Sequence, residues 1–146
     1  RLRQDVGMSG DEVQREETPV ISVEDDMALL TVVEQLFPSL FGITLTPVPG
    51  DALAAETEVG TLIVGVLGDF VVSLEMRLHG EFEATAELLA ELNDRNASTS
   101  FVTFSILEGA LWASASVDGN PLVPAHLARV VAYLAQSAAL LAEGRS

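Results

Sequence analysis

The 146-residue chain has no cysteine and no lysine; its seven cations are all arginine, set against 22 acidic residues for a formal net charge of -15. The lack of cysteine excludes disulfides, thiolate nucleophiles, iron–sulfur clusters and the usual structural zinc sites. The lack of lysine excludes amine and Schiff-base catalysis. Only His79 and His126 could act as imidazole bases, and neither lies in a nucleophile motif such as G-x-S-x-G. No glycine pattern leads a strand into a helix in the manner of a phosphate cradle. The carboxylate runs "EDD" at 24–26 and "DEVQREE" at 11–17 lack the ligand spacing and central glycine of a calcium loop. No cofactor or metal is therefore expected. So acidic a surface also repels phosphate, which argues against nucleic acid and anionic membrane as partners. No uncharged apolar run approaches the roughly 18 residues of a membrane-spanning helix.

What the chain does have is hydrophobic residue, 49% of the total, enough for one self-sustaining core. The expected organisation is an acidic N-terminal tail over 1–22 and a single domain over 23–143, and the missing cysteine fits a cytoplasmic setting. Val23, Met27, Leu30, Val33 and Phe37 at helical spacing predict a first helix over 23–37, started by Ser22 and closed by Pro38. Pro47, Pro49 and Gly50 interrupt the next segment, which reads as one edge strand plus a loop. Gly68-Asp69 signals a hairpin, and Phe82, Ala86, Leu89 and Leu92 mark the apolar face of a second helix. Glu108-Gly109 signals a second hairpin. Pro124 then opens a third helix striped by Leu127, Val131, Leu134, Ala138 and Leu141. The fold class is α+β, an antiparallel sheet of about five strands backed by helices, in the order α-β-β-β-α-β-β-α.

Strand alternation sorts the hairpin residues onto two faces. About Glu108-Gly109, Val102, Phe104, Ile106, Leu111, Ala113 and Ala115 form an apolar face that must be core. Phe101, Thr103, Ser105, Leu107, Trp112, Ser114 and Ser116 face away from it. About Gly68-Asp69, a two-residue turn puts Phe70, Val72, Leu74, Met76 and Leu78 inside with Ile63 and Leu67. Leu62, Val64, Val66, Val71, Ser73, Glu75 and Arg77 then point outward. The outer face so assembled is only partly polar, whereas a sheet open to water normally alternates to polar residues there. Three plain explanations exist: the third helix covers it, the tail covers it, or the apolar residues are scattered. The other is a recognition surface anchored by Trp112, the only tryptophan.

"LLAELNDRN" at 88–96, the acidic-Gly hairpin and "SVDGNPLVPAHLARVVAYLAQSAALLAE" at 116–143 together resemble the YbjN family, which shares its fold with the small chaperones of type III secretion. The resemblance implies an α+β domain, often dimeric, that binds extended or helical client segments. It also implies that Leu88, Leu89 and Leu92 pack while Asn93 serves the helix end, with Asn96 as the last position of the pattern.

The expected function is a non-enzymatic, chaperone-like peptide-binding module. Its site residues are Trp112, Phe101, Leu107, Leu62, Val64, Val66 and Val71, with rim carboxylates favouring basic flanks of a client protein or peptide. One alternative is a scaffold or regulatory homodimer of the roadblock or profilin-like kind, using the same surface. A hydrolytic site built on His79 and nearby carboxylates is the third reading.

Overall fold

The computed structural model describes residues 19–145. The acidic tail therefore lies outside the described residues apart from its last few. Of these, Ile21 exchanges two backbone hydrogen bonds with Leu122, at 2.7 and 2.8 Å, tying the start of the described chain to the approach of the last helix.

The elements run α1 (Asp26–Phe41), β1 (Thr46–Val48), β2 (Ala52–Glu56), β3 (Gly60–Val66), β4 (Val71–Leu78), α2 (Ala86–Ala97), β5 (Thr103–Leu107), β6 (Ala110–Asp118) and α3 (Pro124–Ala142). The fold is α+β, with one six-stranded antiparallel sheet in the order β1-β2-β3-β4-β6-β5. The strand in excess of expectation comes from the proline-rich segment. Instead of one strand and a loop it makes a short hairpin, β1 and β2, turned at Gly50 and Asp51, both with positive φ.

Helix α1 begins and ends later than its apolar spacing suggests. Asp25, not Ser22, is the N-cap, and its Oδ1 accepts from the Ala28 amide at 2.8 Å. Pro38 sits within the helix, which continues to a left-handed Gly42 whose amide donates to the Pro38 carbonyl. Leu29 joins Leu30, Val33 and Phe37 in the core, while Met27 is exposed. In α2 the N-cap is Thr85, and only Leu92 is fully buried; Leu89 is half exposed and Leu88 partly buried. Helix α3 buries the expected Leu127, Val131, Leu134, Ala138 and Leu141. By length and composition it could cross a membrane, but that buried stripe is part of the core.

The β5–β6 hairpin has the expected register, Leu107 with Ala110 through Thr103 with Ser114. Glu108 and Gly109 both take positive φ, as a tight two-residue turn requires. The β3–β4 hairpin does not follow expectation. Val66 pairs with Val72 and Leu67 bonds to Val71, so three residues, Gly68, Asp69 and Phe70, rather than two make the turn. Gly68, Asp69 and Phe70 all adopt positive φ, and the turn closes with Leu67 N–H donating to Val71 O at 2.9 Å and Val71 N–H to Gly68 O at 3.0 Å. Phe70 is held there by the Asp26 carboxylate of α1, which accepts from its amide at 3.0 Å. Its own carbonyl accepts from the Gly119 amide at 2.7 Å. The added residue shifts the register by one and reverses every side chain of β3 relative to β4. Leu62 and Val64 are consequently core residues, whereas Ile63 turns outward and Leu67 is exposed.

Helices α1 and α3 pack on the sheet face carrying Leu62, Val64, Leu74, Met76, Leu111 and Ala113, and the whole forms one continuous core. Helix α2 lies along β5. There the Asn96 amide donates to Phe104 O at 2.9 Å while its Oδ1 accepts from Phe104 N–H at 2.7 Å, occupying both outward backbone groups of that strand residue. Asn96, rather than Asn93, is thus the asparagine with the structural role, and Asn93 is exposed.

Candidate functional site

The outer sheet face is built from alternate residues of four strands: Thr61 and Ile63 of β3, Val71, Ser73, Glu75 and Arg77 of β4, Trp112, Ser114 and Ser116 of β6, and Thr103, Ser105 and Leu107 of β5. None of these is buried, and among the described residues no helix lies over them. Trp112 stands between Arg77 on β4 and Ser105 on β5. With Glu75, Ser105, Leu107 and Ser114 it lines a hollow of about 240 Å³, and Leu107 beside it is 62% exposed.

Of the seven residues expected to form the surface, Trp112, Leu107 and Val71 do share this face. Val71 lies at its far end, six residues along β4 from the strand position that faces Trp112, a separation of roughly 20 Å. Leu62 and Val64 do not belong to it: at 2% and 0% exposure they are inside, for the register reason already given. Val66 alternates with them and packs partly against the core. Phe101 precedes β5 instead of extending it, and its ring meets Tyr133 of α3 edge-on at 6.1 Å.

That contact marks a second apolar surface, on the helical side. A groove of about 320 Å³ is lined by Ser98, Ser100, Phe101, Arg129, Val130 and Tyr133, with Phe101 69% exposed. The sequence reading missed Tyr133. Its signal was an aromatic residue lying off the buried stripe of α3, beside the helix's one arginine. It missed the outward Ile63 because that depended on the length of the β3–β4 turn.

Among the described residues the two histidines lie apart, one beside β2 and one on α3. His79 Nε2 lies 3.0 Å from the Thr57 carbonyl oxygen and 3.9 Å from Glu56 Oε1, with its side chain 54% exposed. His126 is exposed in the first turn of α3. Among the described residues no cluster of three histidine or carboxylate groups gathers to hold a metal. Glu91 of α2 sits between two arginines. Partial burial would raise its pKa, but hydrogen bonds and positive charge from Arg95 and Arg145 hold it below the ordinary glutamate value. This cluster joins α2 to the end of α3, since Arg145 also donates to the Leu141 carbonyl.

Comparison with known proteins places the geometry. No curated protein matches the chain. A chain of the HopA1–SchA chaperone–effector complex is similar, with a TM-score of 0.58 and 16% identity over 79% of this chain and 95% of that one. So is YbjN of E. coli, with a TM-score of 0.61 and 18% identity over 82% and 94%. Both likenesses concern the fold. The sequence carries the kinship further, because a family model described as "T3SS (YopN, CesT) and YbjN peptide-binding chaperone 1" matches residues 28–143. The chain belongs to that family of peptide-binding chaperones.

Proposed function

We propose that this protein is a non-enzymatic, cytoplasmic chaperone-like module that holds client segments on its outer sheet face around Trp112 and Leu107. The observation that carries the reading is a sheet face, free of helices among the described residues, on which the only tryptophan stays partly accessible beside an exposed leucine. An indole offers large contact area for little ordering cost, which suits capture of varied segments. The family and the chaperone–effector neighbour support the reading, and the charge of -15 favours clients with basic flanks. The test is a surface-bound array of random-sequence peptides probed with the wild type and Trp112→Ala. The variant should lose most of the captured spots while keeping its far-ultraviolet circular dichroism. An unchanged spot pattern would remove Trp112 from the site.

A second reading, a homodimer, is favoured by a different surface from the one expected. Among Asp, Glu, Lys and Arg, α3 carries only Arg129, and Ala132, Tyr133, Ala135, Gln136, Ala139 and Leu140 lie exposed along it. Two copies of so acidic a protein meet with least repulsion through an uncharged surface. Pairing through α3 would leave Trp112 free, so the two readings are compatible.

A further inference from the structure

We infer that the hollow between Trp112 and Glu75 is a subsite for one arginine side chain of the client. This rests on the outer-face reading and gives it a chemical specificity. Glu75 pairs with Ser114 and Arg77 with Trp112, so the carboxylate lies diagonally from the indole on the same face. In antiparallel pairs such diagonal neighbours are separated by about 7–8 Å, which leaves a gap between ring and carboxylate. That gap is the hollow of about 240 Å³, completed by the hydroxyls of Ser105 and Ser114 and the side chain of Leu107. Among the described residues no hydrogen bond or ion pair engages the side chains of Glu75, Ser105 or Ser114.

These groups suit a guanidinium on each of its aspects. Its flat face stacks on an indole, its paired N–H groups match a carboxylate, and the remaining N–H groups can donate to serine oxygens. Leu107, 62% exposed, offers an apolar wall to the methylene stem. An ammonium is a compact point charge that can neither stack nor fork, so lysine uses the same walls less well. The one opposing feature is Arg77, directly across from Trp112 and exposed. It repels an incoming cation, so neutralising it strengthens arginine binding. A site for acidic clients would respond in the opposite sense.

The only tryptophan lines the subsite, so its emission reports occupancy in the full chain. Three synthetic peptides of leucine and serine differing only at one central position, which is arginine, citrulline or lysine, are titrated into the wild type, Glu75→Gln and Arg77→Gln. The arginine peptide should bind the wild type about tenfold more tightly than its neutral citrulline counterpart. Glu75→Gln should abolish that preference, and Arg77→Gln should enlarge it. Equal binding of the arginine and citrulline peptides would overturn the subsite and leave the peptide-binding reading standing. Equal binding of arginine and lysine would overturn the guanidinium assignment. No emission change with any of the three peptides would overturn the outer-face reading, and the subsite with it.

Discussion

Individual residues carry consequences that do not depend on the client. A Cβ added to Gly60 would fall 2.1 Å from the Arg77 carbonyl oxygen, a backbone atom that cannot turn aside. Gly60→Ala should therefore cost about 3 kcal/mol, at the upper end for overpacking, and show as a lowered urea midpoint. Asn96→Ala would strip two hydrogen bonds from the Phe104 backbone and is expected to cost about 1–3 kcal/mol. A stability equal to wild type would mean that water replaces the amide. Glu91 sets a pH dependence whose sign follows from its lowered pKa. Held low in the folded state, it stabilises while ionised and loses that contribution as pH falls through its folded value. Acid unfolding of the wild type should thus steepen on the acid side of the ordinary glutamate range. Glu91→Gln, measured by thermal melts across that range, should flatten the profile there.

Among the elements, the two hairpins show which features of the sequence could be read and which could not. The β5–β6 hairpin was legible because Glu108-Gly109 makes the shortest turn, so alternation on both sides fixes both faces. Gly68-Asp69 gave the same signal, but Phe70 also enters the left-handed region, held by the Asp26 carboxylate 44 positions earlier and by the amide of Gly119. No local pattern encodes those two contacts, and they decided the faces of Leu62, Val64 and Ile63. The third helix was legible for the reverse reason, since its buried stripe repeats at a spacing no neighbour alters. The β3–β4 turn can be tested directly. Deleting Phe70 restores the two-residue loop and would drive Leu62 and Val64 toward water. The expected result is loss of cooperative unfolding, and a native-like sharp transition would show that the turn does not set the register.

At the scale of the molecule, the sheet presents helices to one side and open side chains to the other, and its charge surrounds both. Light scattering over a range of concentrations tests whether α3 pairs with a second copy. A dimer should be observed, and Tyr133→Glu should return it to a monomer without affecting peptide capture at Trp112. A dimer insensitive to that change would place the contact elsewhere. The two margins of the sheet have a consequence of their own. On one side, Asn96 already fills the hydrogen-bonding positions of Phe104; on the other, β1 is three residues long, contains Pro47 and is followed by Pro49. A guest strand would gain little purchase beside Phe104 or along β1, so the client proposed above would be gripped by its side chains and let go without unzipping a ladder. The same blunted borders should disfavour end-to-end stacking of crowded copies into fibres.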